Sequence, residues 1–353
     1  MIVTVTPNAA LDRTLVASGF AIGESRTVER ALILGGGKGI NVARALHGLD
    51  QPVLALGFAG GRTGEQIRAA LDVEGLPHDL TPSAAESRTC TAIIDPSSGS
   101  ATEVNEPGAT VTEYEQLAFL DRFDRALGEA QLVALSGSLS PGLPDEFYAT
   151  LIERARVAGV PCLLDTSGRA LIPGIAAAPL LAKPNQHEAT AMLGGAFDPE
   201  DGAFVARALP SPGPVVLCLT LGSDGAVLHA PAGSWRARPP RLRVVDTVGA
   251  GDCFVAGLAA ALVRAITVAP PIAGATSGAV WSGFDGTAGM RTVAASAYSR
   301  ALAAISERAT LEAMLRLATA VSAANTLTIG AGRCDPADIE RLLPQVSMAP
   351  LPR

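Results

Sequence analysis

Asp246-Thr247-Val248-Gly249-Ala250-Gly251-Asp252-Cys253-Phe254-Val255-Ala256-Gly257 joins a Gly/Ala turn to an apolar helical run and places a carboxylate at the junction. Successive backbone N–H groups in such a turn form an anion-binding nest, and the helix behind it adds its positive end. The stretch reads as a phosphate cradle made by Gly249, Ala250 and Gly251, with Asp252 beside it as a base. A second reading is open on local grounds: an acid in a first turn caps its helix, worth ~1 kcal/mol, and needs no chemistry. Two familiar phosphate loops are excluded. A Walker A loop needs Ser or Thr after Gly-Lys, and the only Gly-Lys, Gly37-Lys38, is followed by Gly39. The dinucleotide spacing G-x-G-x-x-G, started at Gly249 or at Gly35, puts Phe254 or Ile40 where its third glycine belongs.

Around this junction, short β-branched apolar runs alternate with longer Ala/Leu-rich patterns, which predicts an α/β fold with a mostly parallel sheet wound by helices on both faces. Strands are expected at 2–6, 53–58, 132–135, 161–164, 180–182, 215–219 and 226–228, and helices at 39–49, 63–75, 112–128, 145–158, 186–193, 252–265 and 310–326. Ser136-Gly137-Ser138 continues the strand ending at Leu135, at the carboxyl edge where open α/β sheets bind ligands. Two segments break the rhythm. Residues 12–36 and 88–106 read as a small β lid, able to keep water from a reactive phosphoryl group or to cover its open edges in a homodimer. Residues 266–308 read as an insertion, loop in its first half and helix over 293–306, and the chain otherwise as one domain.

Composition narrows the function. The 353 residues carry a net charge of −7 with basic residues scattered, so no nucleic-acid surface is expected and a small anionic ligand would need locally placed Lys and Arg. Five cysteines lie far apart, without a C-x-x-C pair or histidines at metal-ligand spacing, and read as reduced and cytoplasmic. Met1–Asn8 reads as a buried strand rather than a signal sequence, and no apolar run is expected to reach the ~20 residues of a membrane span.

Three further motifs carry chemistry. Gly35-Gly36-Gly37-Lys38-Gly39-Ile40-Asn41 is a glycine turn opening a helix, with Lys38 and Asn41 one turn apart for an anionic ligand; a plain flexible turn explains the same letters. In Lys183-Pro184-Asn185-Gln186-His187-Glu188, Asn185 and Glu188 suit a hydrated Mg²⁺, or equally a capping box. Thr220-Leu221-Gly222-Ser223-Asp224-Gly225 could hold distal phosphates on its N–H groups, or be an ordinary Asp-Gly hairpin turn.

In this order, the pieces resemble the ribokinase-like carbohydrate kinases of the phosphofructokinase-B family. The likeness runs from Thr6-Pro7-Asn8 and Asp12 through Gly36–Asn41, Ser136-Gly137-Ser138 and Lys183-Pro184-Asn185 to Asp246–Asp252, nearly the whole chain apart from 266–308. It implies a three-layer αβα sandwich with a β lid. Within the family the likeness is strongest to kinases of phosphorylated ketohexoses: 1-phosphofructokinase, tagatose-6-phosphate kinase and the minor 6-phosphofructokinase. The signs are Thr4–Asp12, Lys38, Ser87-Arg88-Thr89 and Leu164-Asp165-Thr166-Ser167-Gly168.

The resemblance implies that Asp252 takes the proton of a primary sugar hydroxyl as it attacks the γ-phosphorus of MgATP, while Gly249, Ala250 and Gly251 stabilise the developing charge. Asp12, Asn41, Gly37 and Ser138 would hold the sugar, and Lys38 and Arg88 its existing phosphate. Lys183, Thr220, Gly222 and Gly225 would meet ATP phosphates, Asn185 and Glu188 would order Mg²⁺ through water, and Asn325 would lie near adenine. Where some relatives carry a second basic residue two positions beyond the lid arginine, this chain has Cys90. The alternatives are a kinase of an unphosphorylated sugar or nucleoside, or a sugar-phosphate sensor without activity.

Overall fold

The computed structural model describes residues 1–211, 213–269 and 296–352. The chain starts with β1 (Ile2–Thr6), buried at every position, leaves for β2 (Ala10–Val16) and β3 (Arg30–Gly36), and returns through α1 (Lys38–Gly48) and β4 (Val53–Gly60). α2 (Gly61–Glu74) and β5 (His78–Ser83) follow, then a second excursion, β6 (Arg88–Asp95) and β7 (Ser100–Asn105). Strands and helices then alternate: α3 (Glu113–Leu127), β8 (Leu132–Ser136), α4 (Phe147–Val157), β9 (Cys162–Asp165), α5 (Leu171–Ala176), β10 (Leu181–Ala182), α6 (Gln186–Leu193), α7 (Gly202–Ala208) and β11 (Val216–Thr220). The hairpin strands β12 (Ala226–Ala230) and β13 (Gly233–Arg238) lead to α8 (Ala250–Val268), α9 (Ala297–Ser306), α10 (Arg308–Asn325), α11 (Pro336–Leu342) and β14 (Ser347–Pro350).

Ten strands form one sheet in the order β14-β13-β12-β11-β10-β9-β8-β1-β4-β5, parallel from β11 to β5 and antiparallel beyond β11. Alternate side chains serve opposite faces, as pleating requires: Leu132 and Ala134 of β8 join the core with α1, α8 and α10, and Val133 and Leu135 the core with α3 and α4. Helices on both faces make the expected three layers. The second sheet has the order β3-β2-β6-β7 and is built from the two segments that broke the alternation.

The seven expected main-sheet strands are present, while β5, β13 and β14 had no signal. β5 and β14 are edge strands with exposed positions, so His78-Asp79-Leu80-Thr81-Pro82-Ser83 and Ser347-Met348-Ala349-Pro350 never needed apolar runs. α8 corrects the expectation about apolar runs: at 19 residues, with a mean hydropathy of 1.6 in its best window, it has the length and composition of a membrane span. It is instead the core helix, 67% of that window buried, and a Cβ on Gly257 would meet Cα of Ala318 at 2.5 Å, which lets α8 and α10 touch closely. Of the insertion expected at 266–308, Ile266–Val268 finish α8 and Ala297–Ser306 form α9, while 270–295 lie outside the described residues.

Candidate active site

Two adjoining cavities open at the carboxyl edge of the main sheet. One, of 580 Å³, lies beneath the four-stranded sheet and is lined by polar and charged groups, among them Asp12, Lys38, Asn41, Arg88, Ser138 and Asp252. The other, of 660 Å³, is largely apolar, with Pro239, Leu242, Val244, Phe254 and Ala323 in its wall beside Gly222 and Gly225. Asn185, Thr220, Thr247 and Gly251 line both, so the two spaces meet at the N-terminus of α8.

That N-terminus is held in three ways. Gly249 adopts φ +82°, and a Cβ there would meet Cα of Ala331 at 2.6 Å, so the turn needs glycine for both conformation and closeness. Buried Asp246 accepts the N–H groups of Val248 at 2.9 Å and Gly330 at 3.1 Å, stapling the turn to the loop after α10. Within the turn, the Ala250 N–H donates to Thr247 O at 3.2 Å. Of the three N–H groups expected to cradle a phosphate, Ala250's is therefore already spent, and those of Gly249 and Gly251 remain.

Asp252 makes no capping bond. Its Oδ2 accepts from Asn41 Nδ2 at 2.9 Å, and the Asn41 Oδ1 accepts from Arg44 Nη1 at 3.0 Å. Arg44 is itself buried, paired with Glu74 and bonded to the carbonyls of Gly35 and Ala331. The chain Glu74–Arg44–Asn41 thus fixes which end of the amide faces the carboxylate. Burial pushes the Asp252 carboxyl up to about 7, opposed by the charge of Lys38 and the amide bond from Asn41. Asn41 thus holds Asp252 and, lining the polar cavity, keeps one amide hydrogen for the sugar ligand role expected of it.

Lys38 Nζ lies 3.6 Å, and Lys183 Nζ 3.1 Å, from Oδ1 of Asp165, a fully buried carboxylate at the end of β9 that draws on no other donor. Asp165 raises the Lys38 ammonium above the ordinary lysine range despite burial. Burial would lift Asp165, but Lys183 and Lys38 outweigh it and keep it low and charged. The two lysines expected on two different phosphates are therefore joined through one acid. The Lys183–Asn185 segment is strapped to the end of β11, with Thr220 N–H on Pro184 O at 3.2 Å and a bridge between Asn185 and Thr220.

Several expected positions are differently employed. Asn185 and Glu188 form a complete capping box at α6, each side chain bonded to the other's N–H at 2.8 Å, and Glu188 lines neither cavity. Asn325 is wholly buried with Nδ2 on the carbonyls of Gly330 and Arg333, off the apolar cavity that its neighbours Ser322, Ala323 and Thr326 line. As the last residue of α10 it satisfies the carbonyls of the following loop. Arg88 donates from Nε and Nη2 to Asn8 O and from Nη1 to Glu106 O, clamping β6 to the body, though its side chain also lines the polar cavity. Asp12 does face that cavity, with its carboxyl pushed up to about 6 by burial against the charges of Arg44 and Arg88. Gly37 and Ser138 line it too.

Sequence reasoning gave Asp165, Arg44 and Asp246 no role. Asp165 had a signal, an acid ending an otherwise apolar strand; Arg44 had one too, its i, i+3 spacing from Asn41. No group of three or more potential metal-ligating side chains is present among the described residues.

Residues 8–278 match the model of the pfkB family carbohydrate kinases. Phosphofructokinase-2 from Escherichia coli, solved with substrates and products, is 25% identical, covers 98% of both chains and superposes with a TM-score of 0.77. A Thermotoga maritima protein described as a possible 1-phosphofructokinase shares the fold over 100% of both chains, at 23% identity and a TM-score of 0.78. Arabidopsis thaliana ribokinase with ribose and ATP shares it at 21% identity and 0.66, over 97% of this chain and 98% of its own. The fold is thus ribokinase-like, and the chain belongs to the pfkB family of carbohydrate kinases, which transfer a phosphoryl group from ATP to an alcohol.

Proposed function

We propose that this kinase phosphorylates a ketohexose monophosphate, namely fructose 1-phosphate, tagatose 6-phosphate or fructose 6-phosphate, on a primary hydroxyl to give the bisphosphate. The observation that carries the reading is Asp252: a buried carboxylate pushed up to about 7, at the meeting point of a polar and an apolar cavity. Such a group is poised to take a hydroxyl proton near neutral pH. The polar cavity suits the sugar, with Asp12 and Ser138 for hydroxyls, and the apolar cavity suits the nucleotide base.

Phosphoryl transfer demands little of a protein except positioning and charge. Asp252 accepts the proton as the sugar oxygen attacks the γ-phosphorus. The N–H groups of Gly249 and Gly251 stabilise the charge on the transferring oxygens. Lys183, the Thr220 hydroxyl and the Gly222 N–H hold the remaining phosphates, whereas the Gly225 N–H expected there is spent on Gly222 O at 3.1 Å. A hydrated Mg²⁺ neutralises phosphate charge when bound, and needs only one or two carboxylates beyond its waters. Glu188, whose capping bond occupies Oε2 and which lies outside both cavities, would reach such a metal only through a bound water at Oε1.

Support for an acceptor phosphate comes from Lys38 and from Arg88, which keeps two of its five N–H donors after three backbone bonds. The same clamping, with Cys90 in place of a second cation, favours the competing reading of an unphosphorylated sugar. A turnover panel decides: kcat/KM for one of the three ketohexose phosphates should exceed that for fructose, ribose and adenosine by at least about a hundredfold. An unphosphorylated acceptor at the top of the panel overturns the proposal. The four-stranded sheet serves as a lid, and its β7 edge, exposed at every position, together with Ile33 and Val104, supports a homodimer through paired lids.

A further inference from the structure

All five cysteines are free thiols, and phosphoryl transfer uses none of them. Two stand together: the sulfurs of Cys253 and Cys334 are 3.2 Å apart, although 81 residues separate them in sequence. Cys253 directly follows the proposed base and is wholly buried. Cys334 lies in the loop between α10 and α11 and is partly open to solvent. That loop also braces the site, through Ala331 O on Arg44, Gly330 N–H on Asp246, and the close approach of Ala331 to Gly249.

We propose that Cys253 and Cys334 are a redox-sensitive pair, whose oxidation to a disulfide by a peroxide slows phosphoryl transfer. Cys334, the accessible partner, reacts first: the peroxide O–O bond breaks, Cys334 becomes a sulfenic acid, and one water leaves. The Cys253 sulfur then attacks the Cys334 sulfur, the S–S bond forms, and the hydroxyl departs with the Cys253 proton as a second water. Two thiols are oxidised and one peroxide is reduced. Burial pushes the Cys253 thiol well above its ordinary range, so it gives up its proton only as it attacks, to the hydroxyl leaving Cys334.

A disulfide brings its sulfurs to about 2.05 Å, so the pair must close by roughly 1 Å. The movement falls on the residue after Asp252 and on the loop packed against Gly249. A close-packed interior passes such a shift on rather than absorbing it. Misplacing a reacting group by ~1 Å costs up to about a hundredfold in rate.

The test treats the full-length protein with hydrogen peroxide and follows ATP turnover alongside non-reducing mass spectrometry. The mass readout does not depend on which acceptor is correct. The expected result is a chain lighter by two hydrogens, a Cys253–Cys334 cross-linked peptide, a tenfold to hundredfold fall in turnover, and recovery with dithiothreitol. Cys334→Ser, or Cys334→Ala if the serine variant is poorly folded, should keep basal turnover and lose the sensitivity, whereas Cys90→Ser should keep the sensitivity. The proposal is overturned by absence of the cross-link, by a cross-link that leaves turnover unchanged, or by inactivation that follows Cys90.

Discussion

α6 and α8 begin alike and end up doing different things. Each has an acid at its third helical position, Glu188 after the N-cap Asn185 and Asp252 after the N-cap Gly249. Glu188 folds back onto the Asn185 N–H, and Asn185 answers on the Glu188 N–H, so the capping reading is realised there. At α8 the N-cap has no side chain to reciprocate, and Asn41 of another helix takes the carboxylate instead. Whether a first-turn acid caps or is held for other use depends on what the N-cap residue offers and which distant side chain arrives.

The largest effect that sharpens this contrast comes from Asp252→Asn. With the acceptor pocket intact, kcat should fall by roughly 10²–10⁴-fold while both KM values move little. Steady-state kinetics check this, and near-normal turnover would remove Asp252 as the base.

Asn41→Leu should have a smaller effect with a definite sign. The base must be ionised, so kcat/KM falls as pH drops through the Asp252 value of about 7. The amide bond favours the ionised form, so losing it should move the acid limb of the pH profile upward by about one unit. An unmoved limb would mean that Asn41 does not tune the base.

Glu188→Gln should do least. Losing charge at a cap costs about 0.5–1 kcal/mol, a melting shift of about 1 °C for a chain of this size, with kcat at saturating Mg²⁺ held within about tenfold. A thousandfold loss of kcat would erase the contrast and make Glu188 as critical as Asp252.

Much of the fold was legible because β1, β4, β8, β9 and β11 are buried strands that must be apolar, and their alternation with helices dictates a parallel sheet. The edges escaped notice since a strand wet on one side has no such obligation. At the site, glycine turns and helix starts mark where backbone N–H groups point, which is why Gly37, Gly249 and Gly251 could be placed at a ligand cavity from their letters alone. Side-chain employment was not readable in that way. Asn325 looked like a pocket residue and instead ties down the loop after α10, because its position on the helix face was set by packing.

The sequence by itself determined the layered architecture, the segments that form the second sheet and the helix starts that surround the site, since these follow from local periodicity, turn chemistry and burial. Only the tertiary structure decided that Asp252 would be buried without a cap, that Lys38 and Lys183 would share Asp165, and that Arg44 would orient Asn41. Those outcomes depend on hydrogen bonds and charge pairs between residues distant in sequence, up to 211 positions apart for Asn41 and Asp252. No local rule contains them, because the energy of a buried carboxylate is set by whichever groups the fold brings beside it.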